Sequence, residues 1–296
     1  MSDATLLQRF HACLDYKQAK PWQKPFLNPQ RFARNQMRKR GLVAVDPGAL
    51  RAVPTFHLPE FTVVSGEFVS EEISSYGLFE PELTEAFLRL VQPGQVVVDI
   101  GMHLGYYATL FAVLVGDKGE VHAFEPTPST REISRRNTSR FAYVTVHPFA
   151  VWSCVQTIAF QDFGLRWMAF NSLAKAKIAE APVPAKQIDV QTITLDQFRH
   201  SLGKRVSFVK IDAESAEREI LAGARELLRM DQPIVSVEVG DCGGVRDSRS
   251  LVNDFKELDF APWEFGSGRF SRHEPREIYD YDNLIFASSR SDLSAV

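Results

Sequence analysis

Cysteine is scarce in this chain: Cys13, Cys154 and Cys242 are the three in 296 residues, and each lies far from the others. That spacing argues against a disulfide framework or a zinc knuckle, which need closely set pairs, and buried thiols are the ordinary reading. Long apolar runs are missing as well. The longest, Tyr106 to Val115, covers ten residues and is too short to cross a bilayer. The N-terminus has no apolar core of the signal-peptide kind, so a cytoplasmic protein is expected. Nor does one sign of charge dominate. With 34 Lys+Arg against 37 Asp+Glu the net charge is −3, which argues against a protein that coats nucleic acid with its whole surface. The 45% hydrophobic and 24% charged composition is that of an ordinary globular protein, long enough for one large or two small domains.

What the sequence does contain centres on Val96-Val97-Val98-Asp99-Ile100-Gly101-Met102-His103-Leu104-Gly105. Continuous apolar residues suit a parallel strand covered on both faces. Gly101 allows a sharp turn at the strand's end, and Gly105 allows close backbone approach. The helix-length run after it would point its first N–H groups into that turn, where an anion or carboxylate could sit. The pattern is Asp-x-Gly-x-x-x-Gly, not the Gly-x-Gly-x-x-Gly of dinucleotide folds. Twenty residues beyond Gly105, the strand Glu120 to Phe124 ends in Glu125-Pro126. An acid there can accept hydrogen bonds from both hydroxyls of a ribose, so the set indicates an adenosine-type cofactor.

The rest of the chain alternates strand and helix. A helix over about Pro81 to Val91, started by Pro81 and stopped by Pro93-Gly94, leads into the central strand. Beyond Glu125 the pattern predicts a helix over Ser129 to Thr138 and a strand over Tyr143 to His147. Phe149 to Ser153 follow at that strand's carboxyl edge, where Val151 or Trp152 would either wall the adenine or pack in the core. Val155 to Phe160 reads as an antiparallel strand, and Gln161 to Lys186 as an irregular stretch that could close over the substrate. Thr194 caps a short helix. Strands are predicted over Val206 to Asp212 and Pro233 to Val239, with a helix over Ala213 to Met230 between them and another over Leu251 to Leu258. Phe260 to Phe265 and Asn283 to Ala287 form a closing pair. This is an α/β doubly wound sheet, mostly parallel.

Residues 1–75 do not continue the alternation and read as an N-terminal extension that contacts substrate or a partner. A catalytic domain follows over 76–290, with a tail over 291–296. Thr5 to Lys17 suits a short amphipathic helix. From Lys17 to Arg40 there are eight Lys or Arg and no Asp or Glu. Such a run is usually a solvated face; its functional alternative is contact with an anionic lipid surface or a phosphate-bearing substrate.

Four segments in this order and spacing resemble one family. Asp99 to Tyr107, Ala123-Phe124-Glu125-Pro126, Thr194-Leu195-Asp196 and Lys210-Ile211-Asp212-Ala213-Glu214-Ser215-Ala216-Glu217 look like the FkbM methyltransferases. The similarity runs from about Ile73 to Ala287. It implies a class I methyltransferase (Rossmann-like) fold with one antiparallel closing strand, S-adenosylmethionine as cofactor, and O-methylation of a sugar, glycan, glycolipid or secondary metabolite. Two positions depart from the usual pattern: His103 stands where asparagine is common, and Ser215 where glycine is.

The resemblance and the residues together put Asp99, Gly101, Met102, His103, Gly105, Glu125, Pro126, Ala150, Val151 and Asp212 at the cofactor. Methyl transfer from a sulfonium is an in-line displacement, and an alcohol acceptor needs a base. Asp212, Glu238 and His103 are the candidates, Asp212 first; its alternative role is capping the helix that follows. Glu238, inside an apolar strand, must be paired or functional. A divalent metal on Asp212, Glu214, Glu238 and Asp241 is compatible with the residue types but not favoured. The acceptor is expected to be a small-molecule, glycan or lipid-linked hydroxyl rather than nucleic acid, because the Asn/Asp-Pro-Pro-aromatic signature for a flipped base is missing. An NAD-dependent oxidoreductase and a non-catalytic S-adenosylmethionine-binding protein are the competing readings.

Overall fold

The computed structural model describes residues 3–42, 46–171, 183–213, 216–241, 247–280 and 282–296. The elements run α1 (Asp3–Gln18), α2 (Lys24–Leu27), α3 (Pro29–Lys39), β1 (Leu50–Val53), β2 (Phe61–Val64), α4 (Phe68–Tyr76) and α5 (Pro81–Leu90). Then come β3 (Val96–Ile100), α6 (Tyr106–Val115), β4 (Glu120–Phe124), α7 (Pro128–Thr138), β5 (Val144–His147), β6 (Ala150–Val151) and β7 (Thr157–Asp162). A 3-10 turn spans Leu165–Phe170, followed by β8 (Lys186–Ile193), α8 (Leu195–Leu202), β9 (Phe208–Ile211), α9 (Glu217–Ala222) and α10 (Arg225–Asp231). The chain closes with β10 (Ile234–Val239), α11 (Ser248–Glu257), β11 (Phe260–Gly266), β12 (Arg269–Arg272) and β13 (Asp282–Ser288).

Eight strands form the main sheet in the order β12-β11-β13-β10-β9-β3-β4-β5. β5, β4, β3, β9 and β10 are parallel, and β13 enters antiparallel between β10 and β11. From β3 the chain winds outward to β4 and β5, then returns to place β9 on β3's other side. The strand order therefore reverses between β3 and β9, which is where open α/β sheets bind ligands. The expected closing pair is present, but the charged loop between its members carries a further edge strand, β12, hairpinned onto β11.

Both faces of β3 are covered, as its unbroken apolar sequence requires. Val97 packs with Phe87, Phe111, Val121 and Phe208 on one side. Val98 and Ile100 pack with Phe198, Val209, Ile220 and Val252 on the other. The N-terminal segment joins the first of these clusters: Leu6 and Phe10 of α1 and Phe61 and Val63 of β2 lie in the same buried set as α6.

Several local expectations need correction. The helix expected over Ala213 to Met230 is two short helices, α9 and α10, broken at Gly223 and Ala224. A Cβ on Gly223 would collide with the Trp152 carbonyl, so the chain turns where the loop after β6 presses on it. The antiparallel strand near residue 155 is β7, shifted to Thr157–Asp162, and its partner β8 was not foreseen. Thr194 does cap α8, its Oγ1 accepting from the Gln197 N–H at 3.0 Å. The segment from Ala179 to Pro182, Cys242, Glu214 and Ser215 fall outside the described residues.

The basic run from Lys17 to Arg40 is not simply a solvated face. Lys17 pairs with Glu72, Arg38 pairs with Glu71, and buried Arg31 donates to the Tyr76 carbonyl. The α3 helix thus lies along α4, and part of its charge is spent inside the protein.

Candidate functional site

A cavity of about 280 Å³ opens at the carboxyl ends of β3, β4, β9 and β10. The turn after β3 forms part of its wall. Gly101 has φ +74°, and a Cβ there would overlap the Asp212 carbonyl oxygen, so the close approach of the β9 loop to this turn demands glycine. His103 is also left-handed, with φ +51°. Asparagine and histidine enter that region more readily than most side chains, which accounts for either residue at this position.

Of the residues expected at a cofactor, Gly101, Met102, His103, Glu125, Pro126, Ala150, Val151 and Asp212 line this one cavity. Gly105 and Asp99 do not. Gly105 instead starts α6 at φ +85°. Asp99 is wholly buried behind the wall, with Oδ1 at 3.7 Å from Lys210 Nζ. Burial pushes its carboxyl up to about 6, against the pull of Lys210. Trp152 is not a lining residue; its N–H bonds the Ile193 carbonyl at 2.9 Å.

Glu125 is buried, and burial pushes its carboxyl up to about 7 although Oε1 accepts the Thr127 N–H at 2.9 Å. Among the described residues His103 Nε2 is a buried nitrogen without a partner, and burial lowers the imidazole's proton affinity. These groups fit a ribose-bearing adenosyl cofactor: an acid at the end of β4, an uncommitted imidazole nitrogen, and a glycine turn that leaves space.

Asp212 and Glu238, two of the three candidate bases, line the same cavity with His103. Ala216 occupies the N-cap of α9 and makes no side-chain cap of its own. Glu238 lies opposite Asn283 across the β10–β13 ladder. Asp241 is excluded from the site: it accepts the Ser248 N–H at 3.1 Å and the Tyr279 N–H at 2.9 Å, anchoring α11 and the loop before β13. Among the described residues no group of three or more His, Cys, Asp or Glu converges to hold a metal.

Sequence reasoning missed Lys210. Its Nζ is 3.1 Å from Asp212 Oδ2, and the side chain is 3% exposed, in the cavity wall. Burial alone would lower its proton affinity, but Asp212 and Asp99 outweigh that and raise it, so the ammonium is charged. The position follows from register: Lys210 sits directly beside Asp99 in the β3–β9 pairing. A lysine inside an otherwise apolar strand was the available signal. Glu80 and Tyr107, also missed, meet at the cavity edge, the phenol donating to Glu80 Oε2 at 2.8 Å.

The strand order, with its late antiparallel insertion, and a cavity at the switch point define a class I methyltransferase fold. Residues 99–259, just over half of the chain, match the methyltransferase FkbM domain. The chain belongs to the FkbM family of S-adenosylmethionine-dependent methyltransferases. It is 32% identical over 136 residues to a protein-L-isoaspartate O-methyltransferase of Aeropyrum pernix, across 41% of this chain and 52% of that one. The chain thus spans about half the length of the curated relative it matches. Among solved structures it is similar to an FkbM methyltransferase of Methylobacillus flagellatus, at 14% identity and TM-score 0.41, covering 73% of this chain and 52% of that one. It is also similar to Aeropyrum pernix fibrillarin with bound S-adenosyl-L-methionine, at 12% identity and TM-score 0.40, covering 69% and 73%. Among the described residues no helix is long and apolar enough to cross a membrane.

Proposed function

We propose that this chain transfers the methyl group of S-adenosylmethionine to a hydroxyl oxygen of a sugar, glycan, glycolipid or other small acceptor. The observation that carries the reading is the shared cavity: Glu125 from β4 and the Lys210–Asp212 pair from β9 face one space beside the Gly101 turn. The bound cofactor would supply an electrophilic methyl group on a sulfonium. The chain's own residues do the rest. Glu125 would accept hydrogen bonds from the ribose hydroxyls, and Ala150 and Val151 would wall the base. Asp212 would receive the acceptor's hydroxyl proton, a step that contributes about 10²–10⁴-fold. Lys210 acts on Asp212 as a positioning residue, holding the carboxylate in place. Phe79, Phe149 and Phe160 line the cavity and would exclude water from the reacting groups. Glu238 and His103 are the next acceptors for the proton along the same wall.

Oxygen as the accepting atom agrees with the Aeropyrum pernix relative, itself named an O-methyltransferase. The test is to incubate the protein with S-adenosylmethionine carrying a labelled methyl group and with small-molecule, glycan, lipid, RNA and protein fractions of a cell extract. Label is expected in one of the first three, in an ether linkage that survives alkali. Label confined to RNA or protein, or released by alkali as from a methyl ester, would overturn the reading.

A further inference from the structure

Arginine is concentrated where α3, α4 and β1 meet, and two of these arginines share one acid. Arg31, Arg34 and Arg38 recur at helical spacing and so share one face of α3. Arg31 is committed to the Tyr76 carbonyl. Arg38 and Arg51 both use Glu71, Arg51 Nη2 lying 3.3 Å from Oε1, and the Gly66 N–H donates to that same oxygen at 3.0 Å. One carboxylate therefore serves two guanidiniums and a backbone donor. The next acid along α4, Glu72, is taken by Lys17.

Arg34 is left over. Among the described residues its guanidinium makes no hydrogen bond or ion pair, and its Nε is buried without a partner, as is that of Arg38. Arg34, Arg38 and Arg51 each hold their protons less tightly than usual, first through burial and then through the charge of neighbouring guanidiniums, Arg31 among them for Arg34. A folded chain gains nothing by setting a half-buried cation without an acid of its own beside two that share one carboxylate, and such arrangements persist where a ligand completes them.

The cluster's place is informative. Glu71, on which two of the arginines converge, lies within one turn of Phe68 and Val69, and those two residues line the cavity. The geometry points to a phosphate-binding site formed by Arg34, Arg38 and Arg51, which holds the phosphate ester of the acceptor while its hydroxyl enters the cavity. Guanidiniums suit this ligand because their planar donors match phosphate oxygens. The inference rests on the methyl-transfer reading and narrows its acceptor to a phosphorylated one, either a soluble phosphate ester or a lipid phosphate at a membrane surface.

Inorganic pyrophosphate is the probe. Calorimetric titration of the wild-type protein should show binding that weakens as salt rises. Arg34→Gln, which breaks no hydrogen bond or ion pair among the described residues, should bind pyrophosphate at least tenfold more weakly. Without ligand it should melt at or above the wild-type temperature, since repulsion in the cluster is relieved. Sedimentation with phosphatidylglycerol and with phosphatidylcholine vesicles separates the two sources: Arg34-dependent capture by the first alone assigns a lipid phosphate, and pyrophosphate binding without capture assigns a soluble ester. Equal pyrophosphate affinity in both proteins, neither pyrophosphate nor vesicle binding by the wild type, or a lower melting temperature for Arg34→Gln would overturn the proposal. Titration with S-adenosylmethionine keeps the two readings apart. Arg34→Gln should bind it as the wild type does, and a wild type that binds pyrophosphate but no S-adenosylmethionine would sink the methyl-transfer reading alone.

Discussion

Replacing Glu125 by glutamine should strengthen the fold while weakening the cofactor site. The buried carboxyl titrates at about 7 against 4.5 when unperturbed. At about 1.36 kcal/mol per tenfold in proton affinity, that gap makes the ionised form about 3 kcal/mol less favourable in the folded chain than in the unfolded one. The sign follows from the raised value: the stabilising contribution of Glu125 is complete below 4.5 and is lost as pH rises through about 7. Glutamine keeps an oxygen for the Thr127 N–H, now 2.9 Å from Oε1, and carries no charge. Differential scanning calorimetry should therefore find Glu125→Gln melting higher than wild type at pH 8, by about 4–8 °C for a gain of about 2–3 kcal/mol. At pH 5 the two should nearly coincide. Asp99, whose carboxyl is raised to about 6 in both proteins, cancels from the difference. Affinity for S-adenosylmethionine should fall at least tenfold at pH 8, where the carboxylate is ionised and its hydrogen bonds are charge-assisted, and by less at pH 5, where the carboxyl is already neutral. A variant that melts lower at pH 8, or a difference that does not change with pH, would refute the reasoning.

Three further substitutions probe the same architecture. Asp212→Asn should leave S-adenosylmethionine affinity within a few-fold and cut turnover by about 10² or more, measured with the identified acceptor; unchanged turnover would move the proton to Glu238 or His103. Lys210→Met leaves Asp99 and Asp212 without their shared cation and should cost about 3–5 kcal/mol in denaturant unfolding at pH 8, less at pH 5, where Asp99 is protonated. An unchanged midpoint would contradict the buried-pair account. Gly101→Ala should lose far more stability than Gly94→Ala: both glycines have positive φ, costing about 1–3 kcal/mol each, but only position 101 also meets a backbone carbonyl. Equal losses in thermal melting would show that the close approach of the β9 loop is unimportant.

The sheet's centre was legible because its residues admit few alternatives. Three valines and an isoleucine running into Gly101 leave a covered parallel strand and a turn, and Glu125 at the end of the next strand completes the pattern. Relations between distant segments were not legible. Lys210 acquires its role only when β9 docks beside β3 and sets it against Asp99, which no local pattern encodes. β8 escaped notice because Lys186 to Ile193 is mostly polar and exposed, its pairing with β7 supplying the order that its own side chains do not. The break between α9 and α10 depends on Trp152, some seventy residues earlier in the chain. In α3 the spacing of Arg31, Arg34 and Arg38 was visible, yet the same spacing serves a solvated face, and only the position of α4 separates the two.

The central claim is that the cavity beside the Gly101 turn is a site for S-adenosylmethionine, and isothermal titration of the purified chain tests it most directly. S-Adenosylmethionine and S-adenosylhomocysteine should each bind at one site per chain, both weakened by Glu125→Gln, with no heat from NAD. Binding of NAD with neither sulfur nucleotide, or S-adenosylmethionine binding indifferent to Glu125, would contradict the account.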